Sequence, residues 1–232
     1  VWGWGENKES WLLEHNIIQG PPDDPGTWQH LEDYLSGCIF PHPYGMELAL
    51  LRPGSKVMID AGHWDQHVLP FTFKKQNLGV FAIQGSPTIN APILGKPRIA
   101  SSPKARIYPV GVNQSKDIIY TRLALSKPAK KEYPAGYIHL NQAATTVYID
   151  GLTCEYGKEE KFRGEMYTRY VCPPRKRNEP LDTYVYAMAG KILINPRFDK
   201  IKENLLNKKK DQPQITPRKK PFKTKKNFIG SF

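Results

Sequence analysis

Cysteine is scarce in this 232-residue chain: Cys38, Cys154 and Cys172 are the only three. They are odd in number and widely spaced, and no CxxC pair occurs. That excludes a disulfide framework and a zinc knuckle, and it suits a reducing compartment. No apolar run approaches the ~20 residues a membrane-spanning helix needs, so no membrane partner is expected. The opening Val1-Trp2-Gly3-Trp4-Gly5 has neither a basic n-region nor an apolar h-region, so secretion is not expected from it. The first residue is not methionine, and a processed chain or excised fragment is expected on that ground. GxxxxGK[ST] is absent, so these residues hold no P-loop ATPase, and HExxH is absent as well. There is no internal repeat.

What is present reads as globular. Apolar residues make up 39% and charged residues 24% of the sequence, enough for a buried core of one sizeable domain. The net charge of +12 is uneven. From Lys200 onward eleven Lys/Arg face only Glu203 and Asp211, so +9 of the +12 lies in the last 33 residues. That segment is broken by Pro213, Pro217 and Pro221 and is poor in apolar residues. It is expected to be a flexible, disordered basic tail over 196–232, because it cannot offset its ordering entropy by burial. It serves either as a solubilising tail or as an arm for polyanions or partners.

Patterning divides residues 1–195 into alternating elements. Two short strands span Val1–Gly5 and Trp11–Ile18, and Thr27 caps a helix through Trp28, Leu31 and Leu35. Leu48–Leu51 and Val57–Ile59 read as strands separated by the turn Pro53-Gly54. A helical stretch over Trp64–Gln76 is expected to end or kink at Leu69, ahead of Pro70. Gly79–Ile83 and Ile107–Val112 are buried strands, and Ser115 opens a helix through Leu123. Tyr137–Leu140 and Tyr167–Val171 are further strands. Asn178 caps a last helix through Ala189, with Pro180 in its first turn. Strands paired by turns, then alternating with helices, predict an α/β layer fold with a mixed sheet flanked by helices.

Two places combine acids with a setting for chemistry. In Val57-Met58-Ile59-Asp60-Ala61-Gly62-His63 an apolar strand ends in a carboxylate, where sites form in open α/β sheets. The alternative is that Asp60 only caps the next helix. In Arg177-Asn178-Glu179-Pro180-Leu181-Asp182 the acids Glu179 and Asp182 lie three apart on one helix face. Taken alone, they are acids favoured by a helix N-terminus. Together, Asp60, Glu179 and Asp182 would form an oxygen-only set of the kind that selects Mg²⁺ or Mn²⁺. Two such ions activate water and stabilise the leaving oxygen in phosphodiester hydrolysis. A zinc site on Asp60, His63 and His67 is the competing metal reading. Lys116 sits at an expected helix start, where a cation opposes the dipole, so a phosphate contact is one reading and a surface lysine the other. Glu155, in Leu152-Thr153-Cys154-Glu155, is either structural or part of the site.

Seven motifs occur in order: Gly3-Trp4-Gly5 with Glu9-Ser10-Trp11; Ile59-Asp60-Ala61-Gly62-His63; Val80-Phe81-Ala82-Ile83-Gln84-Gly85; Gly111-Val112 with Lys116-Asp117; Gly136-Tyr137-Ile138-His139; Leu152-Thr153-Cys154-Glu155; and Arg177-Asn178-Glu179-Pro180-Leu181-Asp182 with Tyr186-Ala187. The series resembles the C-terminal nuclease domain of lambda-like (GpA family) phage terminase large subunits, over residues 1 to about 195. The resemblance implies an RNase H-like fold and a metal-dependent endonuclease that cuts concatemeric double-stranded viral DNA during packaging. It implies Asp60, Glu179 and Asp182 as catalytic acids holding two Mg²⁺ or Mn²⁺ ions, with Lys116 and Arg177 on the DNA backbone. As partners it implies the terminase small subunit, the portal protein, an upstream ATPase domain of the same polypeptide and further copies in the assembled motor. The place is the host cytoplasm, at the procapsid. The family's first metal-binding aspartate lies on a strand just upstream of the Gly-Trp-Gly motif, so the central strand of the fold is expected to precede this chain. Gln84 stands where a lysine is usual, and Pro180 where an alanine is. A transposase- or integrase-type enzyme and a non-catalytic DNA- or portal-docking module are the alternatives.

Overall fold

The computed structural model describes residues 1–42, 47–52, 54–129, 132–142, 144–162 and 164–211; Pro53 and the chain beyond 211 lie outside them. Val1–Phe198 forms one compact unit; of a second, the described residues are Asp199–Asp211.

The chain opens with β1 (Trp2–Trp4) and β2 (Ser10–Leu12), an antiparallel pair. Helix α1 (Pro25–Gly37) follows, capped by Asp24, whose Oδ1 accepts from the Gly26 amide at 2.9 Å. The cap is therefore Asp24 and not Thr27, because Pro25 starts the helix with a φ already helical and no amide to satisfy. β3 (Ile39–Pro41) and β4 (Glu47–Ala49) make a separate hairpin. β5 (Val57–Asp60) leads into α2 (Asp65–Lys75), which runs through Pro70 without ending at Leu69. Pro70 is the sixth helical residue, so the bond it forfeits is to the first-turn carbonyl of Gln66, an exposed residue whose carbonyl water can reach.

β6 (Val80–Gly85), β7 (Arg98–Ile99) and β8 (Arg106–Val110) join β5 in a four-stranded sheet of order β5-β6-β8-β7. β5, β6 and β8 are mutually parallel, with Asp60 opposite Ile83 and Gln84 opposite Pro109; β7 is antiparallel to β8. Val80, Ala82, Ile83 and Val110 are wholly buried, as expected of parallel strands covered on both faces. α3 (Val112–Leu123) leaves directly from the end of β8, and β9 (Ile138–His139) adds parallel to β2. α4 (Thr146–Thr153) precedes a hairpin of β10 (Tyr156–Phe162) and β11 (Glu165–Val171). α5 (Glu179–Ile194) buries Leu181, Tyr184, Val185, Met188 and Ala189 in the main core. It packs on both β1 and β5, with Trp2 stacked on Tyr184 at 4.0 Å between ring centroids.

The mixed α/β class is thus observed, with its strands divided among a four-stranded sheet, a three-stranded sheet and two hairpins. Of the expected flexible tail over 196–232, residues 212–232 lie outside the described residues. Where no structure was expected from residue 196, α6 (Phe198–Asp211) forms. Phe198, Ile201 and Leu205 recur at helical spacing there, a period that the abundance of lysine obscures. Among the described residues no helix is long and apolar enough to cross a membrane.

Candidate functional site

The carboxyl ends of the parallel strands place the first acid. Asp60 ends β5, and its turn is self-tied: Oδ1 accepts from the Gly62 amide at 2.8 Å. Asp60 therefore closes a tight turn and does not cap α2, whose N-cap is Trp64. Its other oxygen, Oδ2, accepts from the Tyr186 hydroxyl of α5 at 2.8 Å. Burial, then the negative charges of Asp60 and Asp182, push the Tyr186 phenol far above its ordinary range, so it donates to Asp60 at any working pH.

The second acid comes from the first turn of α5. Tyr186 is four residues beyond Asp182 on one helix face, so the contact that brings Tyr186 to Asp60 brings Asp182 to the same place. Desolvation raises the Asp182 pKa above its ordinary value; Glu155 and Asp60 add to the rise, and Lys116 opposes it. Asp60 and Asp182, 122 positions apart, thus share one electrostatic environment.

Lys116 completes the cluster, in a place the sequence does not suggest. The N-cap of α3 is Gly111, so Lys116 is the fifth helical residue and does not sit at the helix start; Ser115 instead donates to the Gly111 carbonyl at 2.7 Å. Lys116 is 5% exposed. Its Nζ donates to both oxygens of Glu155 at 2.8 Å and lies 3.1 Å from Asp182 Oδ1. A surface lysine is ruled out, and the ammonium is engaged by carboxylates.

Glu155, 7% exposed, is fixed from three sides. Lys116 holds its carboxylate, Tyr120 donates to its backbone carbonyl at 2.9 Å, and Asn178 Nδ2 donates to Oε1 at 2.5 Å. Asn178 also donates to Asp182 Oδ2 at 3.1 Å. The expected N-cap of α5 therefore makes no side-chain cap bond, because its amide links the two acids. Asn178 and Tyr186 are members of the site that residue patterns did not single out. Both stood within the last motif, and only long-range contact distinguishes them.

Glu179 is placed otherwise. Its Oε1 accepts from Arg177 Nε at 2.9 Å and Nη2 at 2.7 Å, on the exposed surface. Arg177 holds the Glu179 carboxyl below the usual carboxylate range. The two residues expected to ligate metal and to contact DNA are here each other's partners. Gln84, where a lysine is usual, accepts from Arg98 at 2.8 Å. Pro180 is buried against Gly151 of α4, where an added Cβ would lie 2.8 Å from the proline ring.

The zinc alternative finds no support: among the described residues no group of three or more His, Cys, Asp and Glu is gathered for a metal ion, and His67 packs beside Trp64. That absence holds equally for Asp60, Glu179 and Asp182; what the structure shows is Lys116 against Glu155 and Asp182, with Asp60 close enough for its charge to act on Asp182. Carboxylate oxygens are the donors a hard divalent cation takes, and here each oxygen of Asp60 and Asp182 already has a partner, in Gly62, Tyr186, Lys116 and Asn178.

The family model describing the endonuclease domain of the terminase large subunit gpA matches residues 1–204. Two curated relatives are terminase large subunits, from Escherichia phage lambda (28% identical) and Enterobacteria phage P21 (25% identical). Each alignment covers 194 residues and 82% of this chain. The chain spans 29% of the length of either relative. No solved structure matches.

Proposed function

We infer from one premise, that the chain belongs to the endonuclease-domain family of the terminase large subunit gpA, that it cuts concatemeric double-stranded viral DNA for packaging. The observation that carries the chemistry is the meeting of Asp60 from β5 with Asp182 from α5 at the carboxyl end of a parallel sheet. Asp60 and Asp182 would hold Mg²⁺ or Mn²⁺, with Glu179 available only if it leaves Arg177. When bound, two such ions supply an activated water and stabilise the departing 3′-side oxygen.

The remaining residues act on the acids. Tyr186 fixes the free oxygen of Asp60, and Asn178 fixes Asp182 against Glu155. Lys116 neutralises Glu155 and favours the ionised form of Asp182 against the repulsion of Glu155 and Asp60. Arg177, at the exposed mouth of the α5 N-terminus, is the side chain placed to meet a phosphate, at the cost of its bond to Glu179. Lys116 reaches DNA only by leaving Glu155.

An RNase H-like sheet is consistent with the two open edges. β1 ends the three-stranded sheet, β5 ends the four-stranded sheet, and both pack on α5. One strand between them, carrying a further aspartate from the preceding segment of the polypeptide, would merge the two sheets and add a ligand beside Asp60. The ATPase domain upstream, the small subunit, the portal and other motor copies are the partners this reading implies, in the host cytoplasm.

Nicking of supercoiled plasmid tests it, using the polypeptide that includes the preceding segment. Cutting should require Mg²⁺ or Mn²⁺ and stop on chelation. It should fall at least about 10²-fold in Asp60→Asn or Asp182→Asn, the order lost when one preorganised group is removed. Asp65→Asn, at the exposed first position of α2, should cut normally. Chelator-resistant cutting, or full activity in Asp182→Asn, contradicts the reading.

A further inference from the structure

We propose that Cys154 and Cys172 are a dithiol that closes reversibly to a disulfide, and that closing it loosens the segment 173–178 behind the candidate site. The two residues are 18 apart in sequence and come from different elements: Cys154 is the C-cap of α4, and Cys172 follows the last residue of β11. Their Sγ atoms nevertheless lie 3.9 Å apart, and both residues are partly exposed. A disulfide needs the sulfurs at about 2.05 Å, a closure of roughly 2 Å that side-chain rotation and a small backbone shift supply. Cys38 is elsewhere, its Sγ 3.4 Å from Glu14, so the pair is selective.

The reduced sulfurs face the segment that carries the site's last motif. Cys172 Sγ lies 3.5 Å from the Lys176 carbonyl, and Cys154 Sγ lies 3.7 Å from the Arg177 carbonyl. Arg175 in the same segment has φ of 66°, in the left-handed region that a non-glycine residue holds only when its surroundings fix it. The segment ends in Asn178, whose amide links Glu155 to Asp182. In the thiol form both sulfurs can donate to these carbonyls. In the disulfide neither sulfur carries a proton, and drawing the sulfurs together moves them off the carbonyls. Oxidation therefore removes the sulfur contacts on residues 176 and 177, leaving the Lys176 amide on the Pro173 carbonyl and the Arg177 side chain on Glu179.

The chemistry balances with an external disulfide such as oxidised glutathione. Two S–H bonds break and one S–S bond forms in the protein. The two electrons and two protons reduce oxidised glutathione to two thiols, through a mixed disulfide at one cysteine. Excess reductant reverses it.

The test uses the full chain carrying Cys38→Ser, so that only this pair remains. After oxidised glutathione, mass mapping should show the Cys154 and Cys172 peptides linked within one chain, and dithiothreitol should separate them. Limited trypsin should cut after Arg175, Lys176 or Arg177 several-fold faster in the oxidised protein, with the rate restored on reduction. In Cys172→Ser that rate should not respond to the oxidant. Mixed glutathione adducts with no internal link would overturn the dithiol. A linked protein cut at the reduced rate would overturn the loosening. Neither readout depends on nuclease activity, so each can fail while the nuclease reading stands.

Discussion

At the residue scale, Lys116 carries the sharpest consequences. A buried ammonium between Glu155 and Asp182 is there to neutralise, and removing it leaves Glu155 charged and desolvated. Lys116→Met should lower unfolding free energy by about 3–5 kcal/mol, measured by urea denaturation. Adding Glu155→Gln should recover a substantial part of it; an unstabilised double variant would show that the pair is not the cause. Asp182 gives a second expectation, in pH. Its folded pKa lies above the ordinary aspartate value of 3.8, chiefly through burial. The stability it contributes is therefore complete below 3.8 and lost as pH rises through the raised value. In chelator-treated protein, Asp182→Asn should gain stability relative to the native chain as pH rises through that window. Parallel profiles would contradict it. Asp60 and Asp182 were legible as acids at element ends. The partnership of Lys116 with Glu155 was not, because charge type alone cannot distinguish a buried lysine from a solvated one.

At the element scale, α4 and α5 form the frame on which the acids sit. Gly151 of α4 allows the approach: a Cβ there would come within 2.8 Å of the Pro180 ring and 2.9 Å of the Arg177 carbonyl. Gly151→Ala should cost about 1–3 kcal/mol by overpacking and disturb Asn178, lowering the thermal midpoint; an unchanged midpoint would mean that the helices separate freely. Sequence patterning foresaw α5 because its apolar positions recur with helical period, and β5, β6 and β8 because buried strands are continuous apolar runs. It missed α4, a single two-turn helix, and β10. Tyr156–Phe162 reads Tyr-Gly-Lys-Glu-Glu-Lys-Phe, with no alternation, because neither face of the hairpin is covered for most of its length. Pro70 misled in the other direction, since a proline early in a helix forfeits only a first-turn bond.

At the scale of the whole molecule, the family match covers residues 1–204, the near-neutral part of the sequence and the first residues of its basic end. The site depends on contacts between residues more than a hundred positions apart, such as Tyr186 to Asp60 across 126. No local pattern encodes such pairs; an ordered series of motifs does so only by resemblance. The same convergence makes a prediction about binding that needs no DNA. Manganese titrated into the chain and followed by electron paramagnetic resonance measures whether Asp60 and Asp182 share one cation. A bound ion whose affinity falls about tenfold or more in both Asp60→Asn and Asp182→Asn, and is unchanged in Asp65→Asn, is the expected result. Manganese binding indifferent to both substitutions would contradict the shared site.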